Sequence, residues 1–326
     1  MGKKKIEHIV FDGTRKQKNS IPFQKVNRVA PTPHTNRIRT APQRHTDRRQ
    51  NMNKRILIAL DLEGVNNVVG EPYAGLGHGT PQWEIARVQA AQEVNAAADA
   101  LFSAGAETVA LWDNHGGGHN VDPAALDGRI DLLDPEPARL RMYFAEDRFD
   151  CICYFGYHAM EGTLGGVLAH TMSSVSVQYY KLNGQYIGEV DMDAYIAAAH
   201  GMPSVFFAGG NIACAQAERA VPGITTVITK REISRNSAEF RDNEDLLSEI
   251  RQKIVQAVQQ GGTPRPLTFP AVFEKSFKRI EDAAKHLEKQ LAAGISAAYP
   301  EDPILGHDAH TVVSTVNGME EFIRSI

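Results

Sequence analysis

The sequence predicts an α/β fold: a central, largely parallel sheet covered by helices, a smaller C-terminal α+β section, and a disordered basic N-terminal tail. Three observations lead there. The run Ile56–Leu60 is continuously apolar rather than alternating, the pattern of a strand buried on both faces. From Asn53 onwards such runs alternate with segments of helical periodicity. Residues 1–51 contain Pro22, Pro31, Pro33 and Pro42, many polar side chains and no sustained period. The expected division is a tail over 1–51, an α/β domain over 52–262, and an α+β section over 263–326 packed on it.

Each element has a local reason. Thr80-Pro81 supplies an N-cap and a first helical residue. The helix that follows is expected to turn Ile85, Val88, Ala91, Ala98, Leu101 and Phe102 towards the core and to stop at Gly105. Thr108–Trp112 and Cys151–Phe155 read as further strands. Val175–Tyr180 and Gln185–Ile187 flank Asn183-Gly184, the strongest short hairpin signal. Asp191–His200 reads as a helix, Ser204–Ala208 and Thr225–Thr229 as strands with a helix near Ala213–Ala220 between them, and Glu244–Gln259 as a long amphipathic helix. Beyond Gly261 come a strand near Ala271–Lys275 and helices near Glu281–Ala292 and Gly318–Arg324. No internal repeat is visible.

Composition narrows the class. The chain has 326 residues, 42% hydrophobic and 23% charged, enough for one large or two modest domains. No apolar run reaches the length of a membrane span. The basic N-terminus lacks a following apolar core, so no secretory signal is expected, and Met52 stands where an initiator would. Cys151, Cys153 and Cys214 are too few for a disulfide framework; buried reduced thiols and a cytoplasmic location fit them. Residues 1–52 hold thirteen Lys/Arg against three Asp/Glu, about +10, which leaves about −14 on the rest. A solvated extension accounts for such a tail, and an arm for nucleic acid or another anionic partner is the sharper alternative.

Ligands of open α/β sheets gather at the carboxyl ends of strands. After the first strand come Asp61 and Glu63 of "DLEG". After the second comes "DNHGGGHN", with His115. After Cys151–Phe155 comes "GYHAMEGT", with His158. Farther on lie His170 of "GVLAHTM" and Glu189 of "GEVDMDA". Taken alone, an Asp-x-Glu after a strand is more often a solvated loop or a helix cap than a ligand pair, and His78 and His119 stay at the corresponding bland reading of a lone histidine. Together, the carboxylates and imidazoles suit zinc, or Mn2+ or Co2+. Three carboxylates and two histidines exceed one tetrahedral site and suit two ions sharing a carboxylate, whose charge would offset the burial of Asp61 and Glu63.

"ALDLEG", "DNHGG", "FGYHAMEGTLGGVLAHTM", "NGQYIGEVDMDAY" and "TKREISRNSA" resemble, in order from Arg55 to Ala238, the successive motifs of the D-aminopeptidase family of dinuclear zinc peptidases. The resemblance implies metal ligands at Asp61, Glu63, His115, His158 and Glu189. Asp61 would be the bridge, with Glu63 and His115 on one ion and His158 and Glu189 on the other. It implies a catalytic histidine at His170 and two Zn2+ per chain. It also implies release of N-terminal D-amino acids from short peptides or aminoacyl amides through a metal-bridging hydroxide. The implied assembly is a homo-oligomer, a decamer of two pentamers with its sites facing an inner channel. This sequence departs from the family pattern at Gly209-Gly210-Asn211, where "GDD" is frequent, at Asp193, where Asn is frequent, and over Gly64–Gly79. Two other functions use the same residues: a specialised non-peptide amidase or lactam hydrolase, and a non-catalytic metal-stabilised assembly with a partner-binding tail. Lys230 and Arg235 are candidates for a substrate carboxylate or for salt bridges between protomers.

Overall fold

The computed structural model of the chain describes residues 54–134 and 148–326. The tail expected over 1–51 lies outside them. Strand β1 (Arg55–Leu60) is the centre of the fold, and its side chains divide between two cores. Ile56, Ile58 and Leu60 enter one core, Leu57 and Ala59 the other, and all five are fully buried. Continuous hydrophobicity is what that double burial requires.

β1 pairs in parallel with β2 (Thr108–Asp113) on one side and β4 (Cys151–Tyr157) on the other. The sheet is completed by β3 (Asp131–Leu132), β7 (Ser204–Gly209) and β8 (Thr225–Ile228), in the order β3-β2-β1-β4-β7-β8, all parallel. The chain winds outward from β1 in one direction and then from β4 in the other. The boundary between β1 and β4 is therefore the switch point, where the connections diverge and leave a crevice.

Helices α1 (Pro81–Ser103) and α4 (Asn243–Gln260) pack on one face of this sheet and on each other. Thr80 accepts from Trp83 N at the α1 cap, as its sequence predicts. The covered stripe is not the expected one throughout. Ala91, Ala98 and Leu101 are buried, but Ile85 and Val88 are 42% and 57% exposed, and the contact is made by Ala86, Ala90, Val94 and Ala97. Small side chains let α1 lie close to both partners, and that approach turns the larger Ile85 and Val88 outward.

The other face carries a second sheet in the order β12-β15-β11-β5-β6, antiparallel throughout. Its strands come from both sides of residue 262: β5 (Val177–Leu182), β6 (Gln185–Ile187), β11 (Ala271–Phe277), β12 (Ser296–Ala298) and β15 (Thr311–Val316). Asn183 and Gly184 both have positive φ, 50° and 78°, the backbone of a tight hairpin turn. β15 is a β-branched run that sequence periodicity passed over. Two short antiparallel pairs were likewise unforeseen: β9 (Lys230–Ser234) with β10 (Ser237–Phe240), and β13 (Glu301–Asp302) with β14 (Gly306–His307). Helices α2 (Glu189–Ala199), α3 (Asn211–Ala220), α5 (Ile280–Ala292) and α6 (Met319–Ser325) complete the fold. The three cysteines are free and buried. Among the described residues, no helix is long and apolar enough to cross a membrane.

Candidate metal centre

The crevice at the switch point collects the five candidate ligands and His170. Asp61 and Glu63 follow β1, His115 follows β2, and His158 follows β4. Glu189 follows the Asn183-Gly184 hairpin, where the sequence places it; it is the first residue of α2, and the hairpin belongs to the second sheet. His170 lies in the long connection from β4 to β5. Asp61, Glu63, His115, His170 and Glu189 line a cavity of about 370 Å3, with Leu76, Trp112, Leu168 and Met172 as its apolar wall.

Two backbone crossings hold the first ligand loop to the third. Asp61 N donates to Phe155 O at 2.8 Å and Gly64 N to Gly156 O at 2.6 Å. A Cβ on Gly64 would stand 2.1 Å from the Tyr157 carbonyl oxygen, and one on Gly156, which has φ +69°, would stand 1.9 Å from the Asp61 carbonyl oxygen. No other residue permits that approach. The "HGGG" glycines, by contrast, meet no close backbone: a Cβ on Gly116 or Gly117 would find open space.

Asp61 stands in the middle of the centre. One of its oxygens, Oδ1, is 2.9 Å from His115 Nδ1, which is also 3.0 Å from Glu63 Oε2. The other, Oδ2, is 3.3 Å from His158 Nε2, which is 3.5 Å from Glu189 Oε1. A single carboxylate thus joins the pair Glu63–His115 to the pair His158–Glu189. Asp61, Glu63 and His158 are buried.

Charge balance shows what the site lacks within the chain. Among the described residues, no Lys or Arg forms an ion pair with Asp61, Glu63 or Glu189; their partners are histidines. Burial opposes charge on His115, but Glu63 and Asp61 overcome it and push its pKa up to about 11. Burial likewise opposes charge on His158, and Glu189 and Asp61 hold its pKa well above the usual imidazole range. Burial raises the Asp61 carboxyl, yet the two histidines bring it well below the carboxylate range, and His158 with His170 lowers Glu189 against the same penalty. Among the described residues, the cation that pairs directly with these three acids is imidazolium.

His158 Nδ1–H donates to the Ala159 carbonyl at 3.0 Å, which leaves the buried Nε2 facing Asp61 and Glu189 as the nitrogen whose lone pair is exposed once the ring gives up its second proton. A ring fixed by a backbone acceptor on one nitrogen and presenting the other is how a histidine binds a metal. The oxygen and imidazole donors fit a borderline divalent ion. Two sets have ligand atoms close enough to share an ion: Asp61, Glu63 and His158, and His158, His170 and Glu189. His170 therefore stands within reach of a shared ion, whereas its sequence placed it outside the ligand set. Its ring is stacked on His158, with centroids 3.9 Å apart and planes at 9°, and its Nδ1–H donates to Leu168 O at 2.9 Å.

Several residues that shape the centre escaped notice in the sequence, and Lys230 has a role other than those its sequence suggests. Asp113, buried at the end of β2, accepts from Asn120 N and Nδ2 at 2.6 and 2.8 Å, and Asn120 Nδ2 also reaches the His115 carbonyl at 2.8 Å. The loop carrying His115 is closed by this clamp. Lys230 is fully buried, and its Nζ donates to the carbonyls of Glu63, Val65 and Val68 at 2.5, 2.9 and 2.6 Å. It organises the loop after β1 and is not available to a substrate carboxylate; Arg235 lines the cavity and donates to Ala169 O at 2.8 Å. Glu232 accepts from Val167 N and Ile212 N, both at 2.8 Å, and so ties the His158–His170 connection to the start of α3. The only signal in the sequence was a buried-strand context around isolated charges.

Comparisons with known proteins identify the family to which this fold belongs. The family model for D-aminopeptidases matches residues 54–299. A D-aminopeptidase of Bacillus subtilis (strain 168) is 26% identical over 217 residues, 66% of this chain and 78% of that protein. Among solved structures, the zinc-dependent D-aminopeptidase DppA from Bacillus subtilis, described as a self-compartmentalizing protease, has a similar fold. Its TM-score is 0.71 at 22% identity, over 83% of this chain and 94% of that one. On the family match, which spans most of the described residues, the chain belongs to the D-aminopeptidase family of peptidases.

Proposed function

We propose that this chain is a dinuclear, zinc-dependent aminopeptidase that releases N-terminal amino acids, D-residues in particular, from short peptides or amides. The observation that carries it is the two-sided contact of Asp61, with His115 on one carboxylate oxygen and His158 on the other. Glu63 and His115 would hold one ion, His158 and Glu189 the second, and Asp61 both. With two divalent ions held there, the site would gain a water of lowered pKa and a Lewis acid for the scissile carbonyl.

The chain's own residues do the rest. Leu76, Leu168 and Met172 form an apolar wall beside the ligands. His170 is kept out of the ligand set in this assignment. With Nδ1–H committed to the Leu168 carbonyl, its Nε2 is the atom that holds the proton for the leaving amine, or hydrogen-bonds the developing oxyanion. Asp113, Asn120 and Lys230 keep the ligand loops in place.

Assembly into a homo-oligomer is part of the proposal, and the self-compartmentalizing description of the structural relative supports it. Large apolar side chains stand exposed at Leu164, Val175, Ile304 and Leu305, as subunit contacts would require. A decamer and a cytoplasmic location complete the picture.

The test is metal analysis of the purified chain together with a panel of D- and L-aminoacyl amides, with and without chelator. We expect divalent metal at about two ions per chain, preference for D-substrates, and loss of turnover on chelation. Turnover that survives complete metal removal would refute the proposal.

A further inference from the structure

We propose that Asn114 is the acceptor for the substrate's free amino group, and that Asp193, which never touches the substrate, orients it through Tyr157. The inference rests on the aminopeptidase function proposed above and names the element that would select a free N-terminus.

The hydrogen-bond polarity runs outward from the core. Asp193 is fully buried on α2, and Tyr157, at the end of β4, is 1% exposed. The Tyr157 hydroxyl donates to Asp193 Oδ2 at 2.8 Å. A phenol has one proton to give, so the same oxygen can only accept from its other neighbour. That neighbour is Asn114, whose Nδ2 donates to it at 3.0 Å.

The consequence falls on the far side of the carboxamide. The amide nitrogen and oxygen of an asparagine are nearly the same shape, and only their partners fix which way the group faces. Here the tyrosine takes the nitrogen, so Oδ1 is the atom left to the cavity. Asn114 is half-buried, lines the same cavity as Asp61, Glu63, His170 and Glu189, and directly precedes His115. Among the described residues nothing donates to its Oδ1; its hydrogen bonds are made by its backbone N and by Nδ2.

An amino group beside the metal centre is a donor, and when protonated it carries charge. A carbonyl-type oxygen receives it; a flipped carboxamide would set N–H against N–H. A neutral acceptor also adds no fourth carboxylate to a site that already holds three. Reversing the polarity of the chain at Asp193 would therefore change amine recognition from a position with no contact to the ligand.

The experiment compares two hydroxamates on the metal-loaded full chain by calorimetry: D-alanine hydroxamate and propionohydroxamic acid, which differ only by the α-amino group. The wild type should bind the amino compound more tightly. Asn114→Ala should reduce that preference about tenfold or more, while affinity for propionohydroxamic acid stays within about twofold. Asp193→Leu, which keeps the shape of the acid but offers no acceptor and so lets the Tyr157 proton turn towards Asn114, should also lower the preference with metal content unchanged; a purely structural defect would weaken both ligands alike. A preference that survives Asn114→Ala overturns the proposal, and one that survives only Asp193→Leu overturns the role of the buried acid. Hydrolysis of D-alaninamide by the wild type is followed in parallel. Its absence, with the preference intact, would remove the aminopeptidase function and leave the amine seat standing.

Discussion

Loading zinc onto the metal-free chain should expel protons, and His115→Gln should change the count by one. The magnitude follows from the buried charges. Burial works against the His115 cation, but Glu63 and Asp61 outweigh it and its pKa reaches about 11; His158 is raised well above the imidazole range by Glu189 and Asp61 in the same way. Both rings therefore carry a proton at pH 7 in the metal-free state. Asp61 and Glu189 are shifted down, so neither brings a proton to be displaced. A metal binds only the neutral imidazole. Each histidine then releases one proton, so the two contribute about two per chain, and affinity from this source rises about a hundredfold per pH unit through neutrality. In His115→Gln the contribution falls to about one proton and about tenfold per unit. Titrating zinc in buffers of different ionisation enthalpy, at one pH, counts the protons directly. Any proton lost from a bound water appears in both proteins, so the difference isolates His115. An unchanged count would refute the assignment of His115 as an imidazolium between two acids. The sign for stability is consistent. A folded pKa above the unfolded value of about 6.5 gives the metal-free chain a contribution that is complete below that pH and disappears as pH rises towards 11. Asp61, shifted down, contributes above its unfolded value of about 3.9, and that part is lost as acid titrates it.

Other substitutions test neighbouring links. Asp61→Ala should abolish metal binding at both positions, since its two oxygens face both histidines, and metal analysis showing one full site would rule out the bridge. His170→Ala should keep its metal and lose about two to four orders of magnitude in turnover; loss of metal instead would make His170 a ligand with His158 and Glu189. Lys230→Met matches the length of the side chain but leaves three buried carbonyls without a donor. At about 1–3 kcal/mol for each unsatisfied group the metal-loaded protein should lose about 3 kcal/mol or more, read from its urea midpoint. An unchanged midpoint would show that the β1 loop does not depend on it.

Much of the centre was legible along the chain because strand ends announce themselves. Ile56–Leu60, Thr108–Trp112 and Cys151–Phe155 are apolar enough to be recognised, and a carboxylate or imidazole just after each is unusual. Glu189 is legible through its motif and its place after the Asn183-Gly184 hairpin; only the structure shows that it begins α2 itself and that the hairpin belongs to the other sheet. The covered face of α1 was misjudged at Ile85 and Val88, because periodicity weighs a large apolar side chain above an alanine, whereas close helix packing favours the alanine.

What the sequence by itself determined is the set of elements that form and the chemical types that follow them: doubly buried strands, capped helices, three acids and three histidines. Those follow from local propensity and side-chain chemistry, which act over a few residues. Only the tertiary structure decided that Asp61 presents one oxygen to His115 and the other to His158, or that Lys230 is sealed under the β1 loop. It alone decided that Asp193 and Tyr157 set the direction of Asn114. These relations join residues far apart in the chain across a crevice that exists only once β1 and β4 lie side by side. Their distances are fixed by sheet register and by the glycine contacts of Gly64 and Gly156, which local sequence does not encode.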